Sequence, residues 1–183
     1  FHISGSDIYY WPYSAGSIVR AELLSDLPGA VAVPKQVNKL DITPQGFLLA
    51  LGCTTYDPLA PAPGYQGDYD GLMIRWSNVD PDIGPDPTNW QPELTNTSGY
   101  LRIQSGSTII TSISTRQETL IWTDTSLNSL QYLGSAEVFG LQQLSGHTTI
   151  IGPNAAIGTN NITYWMGNDK FFTYSGRVDT LPC

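Results

Sequence analysis

The densest run of carboxylates lies in Asp80-Pro81-Asp82-Ile83-Gly84-Pro85-Asp86. Carboxylates at alternate positions can turn toward one calcium ion. The usual calcium loop has no proline between its ligands and ends on a bidentate glutamate, whereas here the nearest glutamate is Glu93. Glycoside cleavage needs two carboxylates held a fixed distance apart. The glutamates are Glu22, Glu93, Glu118 and Glu137, and none sits in a distinctive context. Glu118 and Asp124 flank one hairpin and read as a solvated edge. A serine hydrolase needs a histidine, but His147 follows Ser145-Gly146 without a GxSxG partner, and His2 lies at the start. No phosphate-binding loop and no metal-spaced His/Cys set occurs. Asn96-Thr97-Ser98 and Asn161-Ile162-Thr163 match a glycosylation sequon, as chance allows in a chain rich in Ser, Thr and Asn. Cys53 and Cys183 read as free packing thiols, and a disulfide stays open on sequence alone. No catalytic, cofactor or metal residue is therefore assigned.

The elements that would hold such groups are strands. Leu120-Ile121-Trp122 is an apolar run, Thr123-Asp124-Thr125 a turn, and Ser126 to Leu133 a strand closed by Gly134. Ile162 to Trp165, Gly167-Asn168-Asp169 and Lys170 to Tyr174 closed by Gly176 repeat that order. Trp122 and Trp165 lie 43 residues apart. A repeat of ~40–45 residues made of short strands is the period of a β-propeller blade. The expected fold is all-β, a propeller or partial propeller of ~43-residue blades, as a single domain over 1–183. Its units are a partial blade at 5–16 and blades at about 29–76, 109–134 and 148–176. Residues 5–16 look like an outer hairpin. Ile109 to Ile113 and Ile150 to Ile157 read as inner strands. Tyr132, Phe171, Phe172 and Tyr174 read as aromatics packed between blades. Tyr56 to Tyr69 and Ser77 to Trp90 are expected as long Pro/Gly-rich loops. Asp82, Gly84, Thr88 and Trp90 in the second also echo the Asp-box of sialidase-like propellers, although Thr88 and Trp90 fall too late in it. A proline-stiffened loop, a calcium site and an Asp-box turn all stay open there.

Charged residues make up 13% of the chain, about half the typical ~25%. Val19 to Leu27 is the nearest approach to a helix, and Pro28-Gly29 stops it. No apolar run long enough for a membrane-spanning helix occurs. The chain opens at Phe1 inside a strand pattern and stops at Cys183, so a fragment of a longer chain is expected. The net charge of −8 disfavours long-range attraction to nucleic acid. An acidic surface could instead form a wall past which DNA moves without sticking.

LIWTDTSLNSLQYLG, FGLQQLSGHTTIIGPNAA and YWMGNDKFFTYSGRVDTLPC, with RWSNVDPDIGPDPTNWQP and SGYLRIQSGSTIITSISTRQETL before them, resemble a block of virion structural proteins of tailed bacteriophages. The resemblance covers most of residues 70–183. It implies a tail or neck component with a propeller platform like that of nozzle-type tail proteins, and it brings no catalytic residues. The expected partners are further copies of the chain and neighbouring tail proteins. DNA is then passing cargo, no membrane is involved, and the place is the virion. The competing expectation is a carbohydrate-binding or carbohydrate-cleaving propeller on a host-recognition spike. Trp90, Tyr65 and Tyr69 would then stack on sugar rings, and Glu118 and Asp124 would converge with a tyrosine on one pocket.

Overall fold

The computed structural model describes residues 1–12, 16, 18–159 and 161–181. Cys183 and part of the expected 5–16 hairpin lie outside the described residues. The chain is all-β and forms several small antiparallel sheets. A short pair, β1 (Tyr9–Tyr10) and β2 (Glu22–Leu23), comes first. The strand β3 (Lys39–Ile42) opens the first large sheet, followed by β4 (Leu48–Tyr56) and β5 (Gln66–Trp76). A small hairpin of β6 (Asn78–Asp80) and β7 (Gly84–Asp86) interrupts it before β8 (Gly99–Arg102) adds the fourth strand. The second sheet is β9 (Ile109–Ser114), β10 (Glu118–Thr123), β11 (Leu127–Tyr132) and β12 (Phe139–Ser145). The third is β13 (Ala156–Gly158), β14 (Thr163–Met166), β15 (Phe171–Tyr174) and β16 (Val178–Thr180). In each of the three, consecutive strands pair antiparallel in chain order.

The first unit thus starts at β3 and runs past residue 76 to β8. The second gains β12 beyond residue 134, and the third runs from β13 to β16. The stretch 56–69 is a loop only up to Tyr65, because Gln66 to Tyr69 continue β5 against Thr54 and Tyr56 of β4. Among the described residues of 5–16, Tyr9 and Tyr10 pair with Leu23 and Glu22 rather than with one another's neighbours in a hairpin. Leu24–Asp26 makes a single 3-10 turn where the helix candidate lay. Among the described residues no helix is long and apolar enough to cross a membrane.

Side chains alternate across a strand, so each sheet has two different faces. Leu49 and Leu51 of β4 and Ile74 and Trp76 of β5 look forward to the second sheet, where Ile121, Leu130 and Phe139 look back. Leu120 and Trp122 are one residue out of phase with Ile121. They look forward to Trp165 and Phe172 of the third sheet. Behind the first sheet, Ala50, Cys53 and Met73 pack on a layer of Ile8, Leu24, Val33, Val37 and Trp90. The sheets therefore stack face to face, with an apolar core in each gap. Along one side of the stack the first strands touch: β3 lies against β9, and β9 against β13. The Ser112 hydroxyl donates to Asp41 at 2.6 Å across the first of these contacts.

The turns fix the register between sheets. The β9–β10 and β13–β14 turns close alike, Thr115 N–H on Glu118 O and Thr159 N–H on Ile162 O. The next turns match too, Thr123 N–H on Ser126 O and Gly167 N–H on Lys170 O. Aligning them makes Met166 the counterpart of Trp122, and Ile121 the counterpart of Trp165. The two tryptophans are therefore not equivalent, as the sequence repeat suggests, but one position apart and on opposite faces. That offset brings them together across one gap, with ring centroids 5.4 Å apart and planes at 65°. Both are buried.

Candidate functional site

The largest buried charge is Arg75, on β5, with no exposed side-chain surface. Its Nη2 donates to Ala32 O at 2.5 Å and to Trp90 O at 3.4 Å. Its Nη1 donates to Thr54 O at 3.3 Å and Gln66 Oε1 at 3.4 Å. The Tyr56 ring lies 5.8 Å from the guanidinium carbon. No carboxylate takes part in these contacts. Burial pulls the guanidinium down to about 10, so it stays cationic at neutral pH. Burial pushes the neighbouring Cys53 thiol up to about 12, which keeps it neutral and unreactive. Carbonyl dipoles and a ring face thus solvate the cation. The group staples the layer at 30–37 and Trp90 to the first sheet. Its sequence signal is a lone arginine inside the apolar run Leu72-Met73-Ile74-Arg75-Trp76.

Trp90, expected in an exposed loop, is buried, and its Nε1 donates to Pro87 O at 2.7 Å. It offers no face to a sugar. Tyr69 is partly exposed, but its hydroxyl accepts from Asn38 Nδ2 at 2.7 Å. Tyr65 packs on Tyr56 with centroids 5.8 Å apart.

Two of the three carboxylates of the 80–86 segment are engaged locally, and Asp82 is exposed. Asp80 Oδ1 accepts from the N–H groups of Asp82 at 2.8 Å and Ile83 at 2.9 Å, and Asp86 Oδ1 accepts from the Thr88 hydroxyl at 2.8 Å. Among the described residues no group of three or more His, Cys, Asp or Glu lies close enough to share an ion. His2 Nε2 lies 3.2 Å from Asn38 O, and His147 is exposed at the β12 end. The Asn96 amide is committed at both ends, its Nδ2 to Gln91 O at 2.8 Å and its Oδ1 to Glu93 N–H at 3.2 Å.

A cleft of about 420 Å³ opens between the second and third sheets, lined by Arg116, Glu118, Gln131, Asn161 and Tyr174 among others. The Ser129 hydroxyl donates to Glu118 Oε2. Burial, and then the Glu118 hydrogen bond and charge, push the Tyr174 phenol up to about 12. Asp124 is not part of this cleft. It sits at the far end of β10, where its carboxylate accepts from Ser107 N–H at 2.8 Å and Ser107 Oγ at 2.7 Å. Glu118 and Asp124 therefore face different surroundings and do not form an acid–base pair. A second groove, about 760 Å³, runs between β8 and β12 and is lined by Trp76, Tyr100, Phe139 and the exposed Glu93 and Glu137.

Asp124 has a structural task instead. It ties the β8–β9 connection to the β10–β11 turn. Gly106 makes room for it: at φ 102°, a Cβ there would lie 2.5 Å from Asp124 Oδ1. Partial burial alone would raise the Asp124 pKa, but the hydrogen bonds from Ser107 and the Thr108 N–H outweigh it and hold the value below the ordinary carboxylate range. A depressed pKa stabilises the fold above the unfolded value, ~3.9, and that contribution is lost as pH falls through the folded value. Urea unfolding of Asp124→Asn against the parent should therefore show a stability gap at pH 7 that narrows at pH 3. An equal gap at both pH values would mean that the charge plays no part.

The fold and its clefts define an all-β protein of stacked antiparallel four-stranded meanders. No known family model matches the chain, and a search of curated proteins finds no match to it.

Proposed function

We propose that this chain is a non-enzymatic structural component of a tailed-bacteriophage tail or neck, built as part of a β-propeller and assembling in several copies near the DNA exit path. The observation that carries this reading is the stack of three four-stranded meanders with matched turns and neighbouring first strands. That is how propeller blades follow one another about a common axis. The resemblance of residues 70–183 to virion proteins supplies the class of particle. Separation of Glu118 from Asp124 removes the hydrolytic pair that a glycosidase would need.

DNA enters this reading only as cargo. The first strands β3, β9 and β13 carry Lys39 and Asp41 and no other charge. The acid surplus, 16 Asp and Glu against 8 Lys and Arg, therefore lies on other strands and connections. There it serves solubility rather than repelling DNA from a channel. A wall of uncharged and balanced residues still lets a polyanion slide, because few counterions are exchanged. The test is a cryo-EM reconstruction of the intact particle, with several copies of this chain expected around the tail axis. A free chain that hydrolyses a glycan, and loses that activity in Glu118→Gln, would overturn the reading.

A further inference from the structure

The second sheet ends on an unguarded strand. Among the described residues β12 pairs only with β11, and it is the outermost strand of its sheet. The Leu133 N–H donates to Val138 O, which fixes the phase of that ladder. Gln131 with Gly140 and Ser129 with Gln142 are then its hydrogen-bonded pairs. The N–H and C=O groups of Phe139 and Leu141 therefore point away from β11, to the open edge. Soluble proteins guard such edges with charge or proline. The outermost strands of the other two large sheets each carry a charge, Arg102 in β8 and Asp179 in β16. The seven residues of β12, FGLQQLS, carry neither a charge nor a proline. This edge borders the groove between β8 and β12. Phe139 and Leu141 turn their side chains toward the first sheet, and Trp76 and Tyr100 line the groove from that side. Glu93 and Glu137 stand exposed on the same groove. Arg102 also lines it, but its guanidinium is already held by Asp70 at 2.6 Å. The groove is thus apolar along its walls and acidic at its rim.

We propose that β12 takes up an extended segment of a partner protein as an antiparallel fifth strand of the second sheet, a segment with two apolar residues at alternate positions followed by a lysine or arginine. Main-chain hydrogen bonds to Phe139 and Leu141 hold the segment, and its alternating side chains select it. The two apolar residues stand opposite Phe139 and Leu141, so they share the face that looks onto Trp76 and Tyr100. An antiparallel segment runs from the Leu141 side toward Glu137, so its basic residue follows the apolar pair. Antiparallel pairing is also the more stable per residue. The net charge of −8 favours the approach of a basic segment. This contact is additional to the assembly proposed above and does not rest on it.

The test is fluorescence anisotropy of the 183-residue chain with a labelled, end-capped peptide, Thr-Val-Thr-Val-Thr-Lys-Thr. Saturable binding is expected. In the added strand both valines exchange backbone hydrogen bonds with β12, and the threonine between them points its N–H to solvent. N-methylation of either valine should therefore weaken binding at least ~10-fold. N-methylation of that threonine should leave binding within ~2-fold. These probes leave the protein unaltered, so folding does not enter the comparison. Glu137→Lys should weaken binding of the lysine peptide ~3–10-fold and favour a peptide with glutamate in place of the lysine. Equal tolerance of N-methylation at all three positions overturns strand addition. Indifference to the exchange of lysine for glutamate overturns the basic partner. Absence of saturable binding overturns the proposal as a whole. So does a dimer in sedimentation equilibrium that Leu141→Pro dissolves, because a second copy then occupies the edge; proline is tolerated where the N–H faces outward.

Discussion

Arg75→Met should cost about 2–4 kcal/mol, and Arg75→Ala more. The side chain has no acidic partner whose charge would be stranded by its loss. What it leaves behind is a set of buried carbonyls, those of Ala32, Trp90 and Thr54. Each buried acceptor left without a donor costs ~1–3 kcal/mol. Against this, methionine removes the desolvation of a cation, which is large, so the net figure is well below the sum of three acceptors. Alanine adds a cavity to that loss. Lysine should not rescue, since a single ammonium cannot reproduce a planar fork that serves carbonyls on two sides. Equilibrium unfolding in urea measures the total. Amide exchange at residues 30–37 and around Trp90 locates it, because those segments hang on the guanidinium. If Arg75→Met unfolds within about 0.5 kcal/mol of the parent, the carbonyls have another source of donors and the staple is not there.

The second large effect lies in the gap between the second and third sheets. Trp122→Ala and Trp165→Ala should each cost ~3–5 kcal/mol, as expected for a large aromatic removed from a core. Because the two rings meet edge to face, each single substitution already destroys their contact. The double variant should therefore cost less than the two single costs together, by ~0.5–3 kcal/mol. Both indole Nε1 atoms are buried without a hydrogen-bond partner. Trp→Phe at either place removes that unpaired donor with part of the ring and should cost much less than alanine. Single-variant losses below ~1 kcal/mol at both positions would mean that the gap is not a core.

The hairpins of the second and third sheets are legible in the sequence because Thr123-Asp124-Thr125 and Gly167-Asn168-Asp169 bracket apolar runs with turn formers. Their exact equivalence is not legible: the matched tryptophans suggest a repeat one residue shorter than the turns define. Two identical residues outweigh turn closure in a sequence comparison, whereas backbone hydrogen bonds decide in the fold. The strand β12 is obscured because it pairs with a neighbour on one side only, and Gln142 and Gln143 on its outer half break the apolar pattern. Ile150 to Ile157 read as an inner strand, but Gly152-Pro153-Asn154 forms a turn in its middle and only the end joins β13. Gln66 to Tyr69 reads as loop because Gln66, Gly67 and Asp68 offer no apolar side chain, and Gln66 is held instead by polar contacts to Val33 O and Arg75. Trp90 sits among polar and proline residues, so nothing nearby announces that its ring is inserted under the first sheet. The carboxylates show the reverse: Asp80, Asp86 and Asp124 suggested chemistry by type, and each is consumed by the turn that carries it.

The cores between successive sheets are separate, and the third sheet has the shortest strands of the three, three or four residues each against six or seven in the second. Cohesion is therefore graded. The third sheet is held by one core and by the shortest ladders, so it is the part that frays first when the molecule is heated, pulled or probed by a protease. A mechanical load entering at that end would peel one sheet before it reached the next. Whatever seats itself on the exposed Phe171 and Met166 of that sheet would thus act as a clamp, lengthening the lifetime of the whole stack by closing its weakest edge.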